Sequence, residues 1–211
     1  MIIAPAIFTN NIDEFKFQLE SYTKFAKYVD VDINYPSEIF RGMQTIELDE
    51  ALSVLTKAKR ENVNLSFHLM MDDPQEAIEA VMKSNIKIYK IYIHQESNIQ
   101  DINIKSNLAI TVNVESRLLD LEFYNQFSEV QLMTVTTGNQ GNDFMPDVLE
   151  KARALREQGF TGLIGIDGGV NDKTAHLIKN YPIDKVSVGS FFSKALDPEE
   201  NFQLLEKIFK S

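Results

Sequence analysis

The chain has 211 residues, 44% of them hydrophobic and 25% charged, which are values of an ordinary globular protein and not of a disordered or fibrous one. Its 31 acidic and 21 basic residues give a net charge of -10, and no strip of Lys and Arg could track phosphates, so nucleic acid is not an expected partner. There is no cysteine, which excludes disulfides, thiolate metal sites and a cysteine nucleophile. Met1 runs into the apolar stretch Ile2 to Ile7 without a basic region before it, and no apolar run approaches membrane-spanning length. A cytoplasmic protein without membrane contact is the expectation.

Short β-rich runs alternate with longer segments of helical period, the pattern of parallel strands joined by crossover helices. The strands are predicted at Ile2–Phe8, Tyr28–Asn34, Leu65–Met70, Lys87–His94, Leu108–Asn113, Glu129–Val135, Gly162–Ile166 and Asp184–Val188. Helices are predicted near Ile12–Ala26, Leu48–Arg60, Pro74–Lys83, Ile99–Lys105, Ser116–Phe127, Pro146–Gln158, Asp172–Tyr181 and Pro198–Lys210. Gly159 reads as a residue past a helix end, and Asp197-Pro198-Glu199-Glu200 as a helix start with acidic residues against the dipole. Eight such units, with no glycine fingerprint after the first strand, favour a single α/β domain over residues 1–211, a closed (β/α)8 TIM barrel, over an open doubly wound sheet.

In a barrel, inward residues at the C-terminal strand ends surround one site. The two-residue period of Tyr28-Val29-Asp30-Val31-Asp32-Ile33 puts both aspartates on one face, and the valines suit the helix-covered outside, so the carboxylates should look inward. Two adjacent inward carboxylates repel unless a cation or proton lies between them. Alone, the pair reads equally as the start of a loop, or as one aspartate paired with a lysine from a neighbouring strand. His68, His94 and Asp167 end three further strands. Asp30, Asp32, His68 and Asp167 together form an oxygen-rich set suited to one divalent ion such as Zn, Mn, Fe or Mg. His94 reads either as a satisfied structural histidine or as part of the site, and His176, on a helix, as a surface residue.

Glycines form a second constellation, in Thr136 to Asn142, in Asp167-Gly168-Gly169 and in Gly189-Ser190, after the sixth, seventh and eighth strands. Loops at these places offer backbone N–H groups to a phosphate, and Lys194 stands nearby in sequence to add charge. Each glycine taken singly could serve only a turn.

These residues resemble the ribulose-phosphate 3-epimerase family along nearly the whole chain. Ala4-Pro5-Ala6 is similar to its opening A-P-S, Val31-Asp32 to the end of H-x-D-x-M-D, His68-Leu69-Met70 to H-L-M, and His94-Gln95-Glu96 to H-x-E. Met133-Thr134-Val135 with Gly138 to Pro146 resembles M-S-V-N-P-G-F-G-G-Q-x-F-I-P, and D-G-G and the closing G-S follow in order. The resemblance implies a metal-dependent epimerase inverting C3 of a ketose phosphate, with Asp32 and Asp167 as the acid/base pair and Asp32, His68 and Asp167 among the metal ligands. It further implies a phosphate and substrate grip by His68, Gly138, Asn139, Gln140, Gly141, Gly168, Gly169, Gly189 and Ser190, flanking positions at Ala6, Met70, Met133 and His94, and a homo-oligomer. The chain departs from the pattern at Asp30, which stands for the fourth ligand, a histidine, at Ala6 for a serine, and at Asn34-Tyr35-Pro36 for M-D-G. An aspartate for a histidine adds charge and a harder ligand, moving the expected metal towards Mn or Mg. Two other readings are a catalytically silent barrel that binds a phosphorylated metabolite, and a phosphosugar lyase or synthase; the second lacks a D-x-K-x-x-D segment.

Overall fold

A computed structural model of the chain describes residues 1–58, 62–99, 102, 107–136 and 141–211. Eight parallel strands pair in sequence order, and β8 pairs back on β1, which closes the barrel. They are β1 (Ile2–Ile7), β2 (Tyr28–Asn34), β3 (Asn64–Met70), β4 (Ile88–His94), β5 (Leu108–Val112), β6 (Glu129–Met133), β7 (Leu163–Asp167) and β8 (Lys185–Val188). Around them lie α1 (Ile12–Tyr22), α2 (Leu48–Ala58), α3 (Gln75–Lys83), α4 (Leu121–Tyr124), α5 (Leu149–Glu157, preceded by a 3-10 turn at Pro146–Val148), α6 (Asp172–Ile178), α7 (Ser190–Ser193) and α8 (Pro198–Lys210). No helix among the described residues is long and apolar enough to cross a membrane.

Local chemistry starts several of these helices. The Asn11 side chain accepts the N–H groups of Asp13 and Glu14 at the head of α1, and Asp197 does the same for Glu199 and Glu200 ahead of Pro198. Gly159, past the end of α5, has φ 100°, the left-handed conformation expected there.

One helical expectation is not met as written, and two others reach beyond the described residues. Ser116–Phe127 shrinks to the single turn α4; the Ser116 carbonyl, which a helix begun there would use, is taken by the Lys151 ammonium, together with the carbonyls of Asn113 and Val114. The expected helix Ile99–Lys105 falls mostly outside the described residues, as does the end of Leu48–Arg60 beyond Ala58. A short helix not foreseen, α7, starts directly after Gly189.

The hydrophobic core lies between the barrel and its helices. Val29, Val31, Ile33, Phe67, Leu69, Ile91, Ile93, Val130, Leu132, Ile164, Ile166, Val186 and Val188 are all fully buried there. Each such side chain contributes about 1.5–3 kcal/mol by leaving water. The alternate residues of the same strands turn into the barrel, and they are largely polar. Lys185 Nζ donates to Asp30 Oδ2 at 2.6 Å and to the Tyr92 hydroxyl at 2.8 Å, and Ser187 Oγ donates to the same Asp30 oxygen at 2.7 Å. Tyr92 in turn donates to Glu129 Oε1 at 2.7 Å. These bonds join β2, β4, β6 and β8, strands that are not neighbours, so they cross the barrel interior.

Space for this network comes from small residues on the intervening strands: Ala4, Ala6, Ala109 and Gly165. A Cβ at Gly165 would stand 3.2 Å from Glu129 Oε1. Barrels of this kind are usually filled by branched apolar side chains. Here a buried ion pair takes their place, and its stability depends on both partners being present. Lys185→Met should leave the Asp30 carboxylate uncompensated and cost about 3–5 kcal/mol in urea unfolding, while Lys185→Met with Asp30→Asn should recover much of that loss.

Candidate active site

The strand register lifts one further layer of side chains above this network. Asp32 stands beside His68 across β2 and β3, and Asp167 beside Ser187 across β7 and β8. All three side chains are buried, and their ligand atoms lie within 4.8 Å of one another. His68 Nδ1 is 3.1 Å from Asp167 Oδ2 and 3.4 Å from Asp32 Oδ1. Neither His68 Nδ1 nor Asp32 Oδ1 has an aligned hydrogen-bond partner, although both are cut off from water. Gln131 Nε2 reaches the same Asp167 oxygen at 3.4 Å. On the far side of the imidazole, His68 Nε2 lies 2.8 Å from His94 Nε2.

Burial and charge act against each other at this cluster. Burial alone would lower the His68 pKa, but Asp167 and Asp32 beside Nδ1 outweigh it and push the value up to about 9. The Asp32 carboxyl is raised to about 6, chiefly by burial, helped by repulsion from Asp167 and opposed by His68. His94 is lowered to about 4, chiefly by burial. A metal-free site therefore holds a charged His68 between two carboxylates at neutral pH. An incoming divalent cation would replace that proton.

Asp30 does not join this cluster, which corrects the expectation that it serves as a fourth ligand. Its side chain sits one layer deeper, where Lys185 and Ser187 occupy Oδ2. Of the readings open for the aspartate pair, Asp30 takes the partnership with a lysine, though the lysine comes from β8 and not from an adjacent strand. Asp30 therefore gives the site no preference for a harder metal, because Lys185 cancels the added charge. The segment replacing M-D-G has turned to holding a loop: Asn34 Nδ2 donates to the Met43 carbonyl at 2.9 Å, and the Tyr35 hydroxyl accepts the Leu48 N–H at 3.1 Å.

Above Asp32, His68 and Asp167 opens a pocket whose walls include Ala6, Met70 and Met133, with Gly141, Gly168, Gly169, Gly189 and Ser190 on one side. Gly138, Asn139 and Gln140 lie outside the described residues. Two of these glycines are fixed by backbone geometry whatever they bind. Gly168 has φ 107°, and a Cβ there would stand 2.3 Å from the Val135 side chain; Gly169 has φ 65°, and a Cβ would meet Phe144 at 2.8 Å. The Lys194 ammonium stands 3.1 Å from where a Gly141 Cβ would be. Phe8, Val135 and Thr136 also line the pocket, and sequence reasoning did not single them out as site residues. Phe8 follows β1 directly, so its position at a strand's C-terminal end was the available signal. His176 is exposed on α6.

The sequence profile of the Ribulose-phosphate 3 epimerase family matches residues 2–192. The chain belongs to this family. Epimerase relatives are distant. The ribulose-phosphate 3-epimerase, cytoplasmic isoform, of Oryza sativa subsp. japonica is 28% identical over 159 residues, covering 71% of this chain and 70% of the rice protein. A ribulose-phosphate 3-epimerase of Helicobacter pylori is 24% identical over 224 residues, covering 100% of this chain and 99% of its own. Among solved structures, 3-hexulose-6-phosphate synthase from Salmonella typhimurium superposes with a TM-score of 0.72 at 12% identity, over 100% of this chain and 99% of that one, a likeness of fold. Within the epimerase family this member is divergent.

The His68 proton links the site to stability. Because its folded-state pKa of about 9 stands above the ordinary histidine value of 6.5, its contribution is complete below pH 6.5 and is lost as pH rises through 9. Asp32 has by then finished titrating, at about 6. Metal-free protein should lose on the order of 3 kcal/mol of urea-unfolding stability between pH 7 and 9.5, and His68→Gln should flatten that slope.

Proposed function

We propose that this protein is a divalent-metal-dependent epimerase that inverts C3 of a pentulose or hexulose phosphate such as ribulose 5-phosphate, residues 1–211 acting as one barrel domain. The observation that supports this most is the pair of buried carboxylates, Asp32 and Asp167, set on either side of His68 at the floor of a glycine-rimmed pocket. In this reading one aspartate removes the C3 proton, the C2 carbonyl takes up the electron pair as an enediolate, and the other aspartate returns a proton to the opposite face. The two carboxyls thereby exchange protonation states, and the reverse reaction restores them. Burial lifts the Asp32 carboxyl towards neutrality, which suits a group that must both accept and give a proton.

The residues present fit a metal ion. Two carboxylates and an imidazole converge within 4.8 Å, and the buried Asp32 Oδ1 and His68 Nδ1 atoms make no aligned hydrogen bond to any other group. Asp32, His68 and Asp167 would hold it, and when bound a Zn, Mn, Fe or Mg ion would stabilise the charge that develops on the enediolate oxygens. Met70 and Met133 flank the reacting carbon and exclude water from it. The backbone at Gly168, Gly169, Gly189 and Ser190, with the tract that includes Gly138 to Gly141, receives the phosphate, and Lys194 adds the charge that an otherwise acidic chain does not supply there. A cytoplasmic setting fits this chemistry and the name of the rice relative, and the protein is proposed to act as a homo-oligomer.

Purified protein should contain a stoichiometric divalent metal and should exchange solvent deuterium into C3 of ribulose 5-phosphate or allulose 6-phosphate. Asp167→Asn should abolish exchange and leave phosphate affinity largely intact; unimpaired exchange would sink the two-base assignment. Metal uptake with neither substrate exchanging would instead favour a different sugar phosphate. No metal at any pH near neutral would favour the silent barrel. Lys194→Met should raise KM roughly tenfold, the effect of losing one charge-assisted contact of about 1.4 kcal/mol, with kcat changed far less.

A further inference from the structure

We infer that His94 is a positioning residue that fixes the His68 tautomer, so that Nδ1 of His68 presents its lone pair to the ion; this rests on the metal reading above. The two imidazoles are fully buried, nearly parallel at 12°, and in contact through their Nε2 atoms at 2.8 Å. At that distance one proton must lie between the two nitrogens, and only its owner is open.

The surroundings of His94 decide the owner. Its other nitrogen, Nδ1, faces the Glu96 carboxylate 3.8 Å away. Glu96 is held there by Asn113 Nδ2 at 3.0 Å and by the Ser116 hydroxyl, so its oxygens stay turned inward as acceptors. A lone pair on His94 Nδ1 would oppose that carboxylate, whereas an N–H there is attracted to it. A neutral His94 with its hydrogen on Nδ1 has a lone pair on Nε2, and it therefore accepts from His68 Nε2–H. The remaining nitrogen of His68, Nδ1, is the one that faces Asp32 and Asp167. Donation in the other sense would put a proton on His68 Nδ1 and remove it as a ligand. Phe40 packs edge-on against the His94 ring with centroids 4.8 Å apart, which keeps the imidazole from turning over. The chain from Glu96 through His94 to His68 thus orients one ligand from outside the site.

Zinc dissociation constants from chelator competition, together with nitrogen-15 NMR of the histidine rings in zinc-loaded protein, test this. The wild type should show His68 with hydrogen on Nε2 and zinc on Nδ1. His94→Leu should weaken zinc binding 10–100-fold, and His94→Gln, whose amide oxygen can accept the same hydrogen, should recover most of the loss. Should His94→Leu fail to fold, Glu96→Ala, at a partly exposed position, should still weaken zinc binding several-fold and disturb the His94 Nδ1–H signal. Unchanged zinc affinity in these variants, or zinc on Nε2 of His68, would overturn the inference while leaving the metal reading in place. A wild type that takes up no divalent ion would end both.

Discussion

The ion pair between Lys185 and Asp30 organises this barrel. It lies at the centre of a space that (β/α)8 proteins commonly fill with branched hydrocarbon, and it joins β8 to β2 across the strand that separates them. Once an aspartate is turned inward at that depth, everything around it must be polar or small. Ser187 and Tyr92 supply the further hydrogen bonds, Glu129 accepts from Tyr92, and Ala4, Ala109 and Gly165 leave the room. Low dielectric makes each of these contacts strong and each unmade contact expensive, so the network specifies the interior as firmly as close apolar packing would.

The same pair separates two electrostatic layers. In the lower one, the carboxylates of Asp30 and Glu129 are set against the ammoniums of Lys185 and Lys90. In the upper one, Asp32 and Asp167 face, among the described residues, only the protonated imidazole of His68. Within the barrel interior, the less compensated negative charge thus lies at the level of the pocket floor. In the proposed reaction that charge would attract a divalent cation, and the cation would in turn stabilise the negative charge of the enediolate.

Much of this could be read from residue order. The two-residue period of β2 placed Asp30 and Asp32 on the inner face correctly, because Val29, Val31 and Ile33 could only be the helix-covered side. The convergence of Asp32, His68 and Asp167 followed from their common position at strand ends. What the sequence did not reveal was depth. Asp30 and Asp32 share a face but differ by one layer, and a carboxylate at the deeper level, shorter than an imidazole, met Lys185 before any ligand of the upper layer. Lys185 itself gave no signal, since a lysine at the start of a strand, next to Asp184, ordinarily reads as a solvated end. Residues 116–120 looked helical by pattern, but the ammonium of a distant lysine, Lys151, takes the Ser116 carbonyl. His94 stayed ambiguous because its role depends on which neighbour shares its proton, which residue order does not encode.

The reciprocal need of Lys185 and Asp30 also bears on how such an interior could change over generations. A substitution at either position alone strands a charge in the middle of the protein, so descent from an uncharged interior to this one must cross a less stable intermediate. Such an intermediate survives only in a background with stability to spare. Two positions far apart in the chain are thereby bound to one fate, and drift at one is permitted only in step with the other.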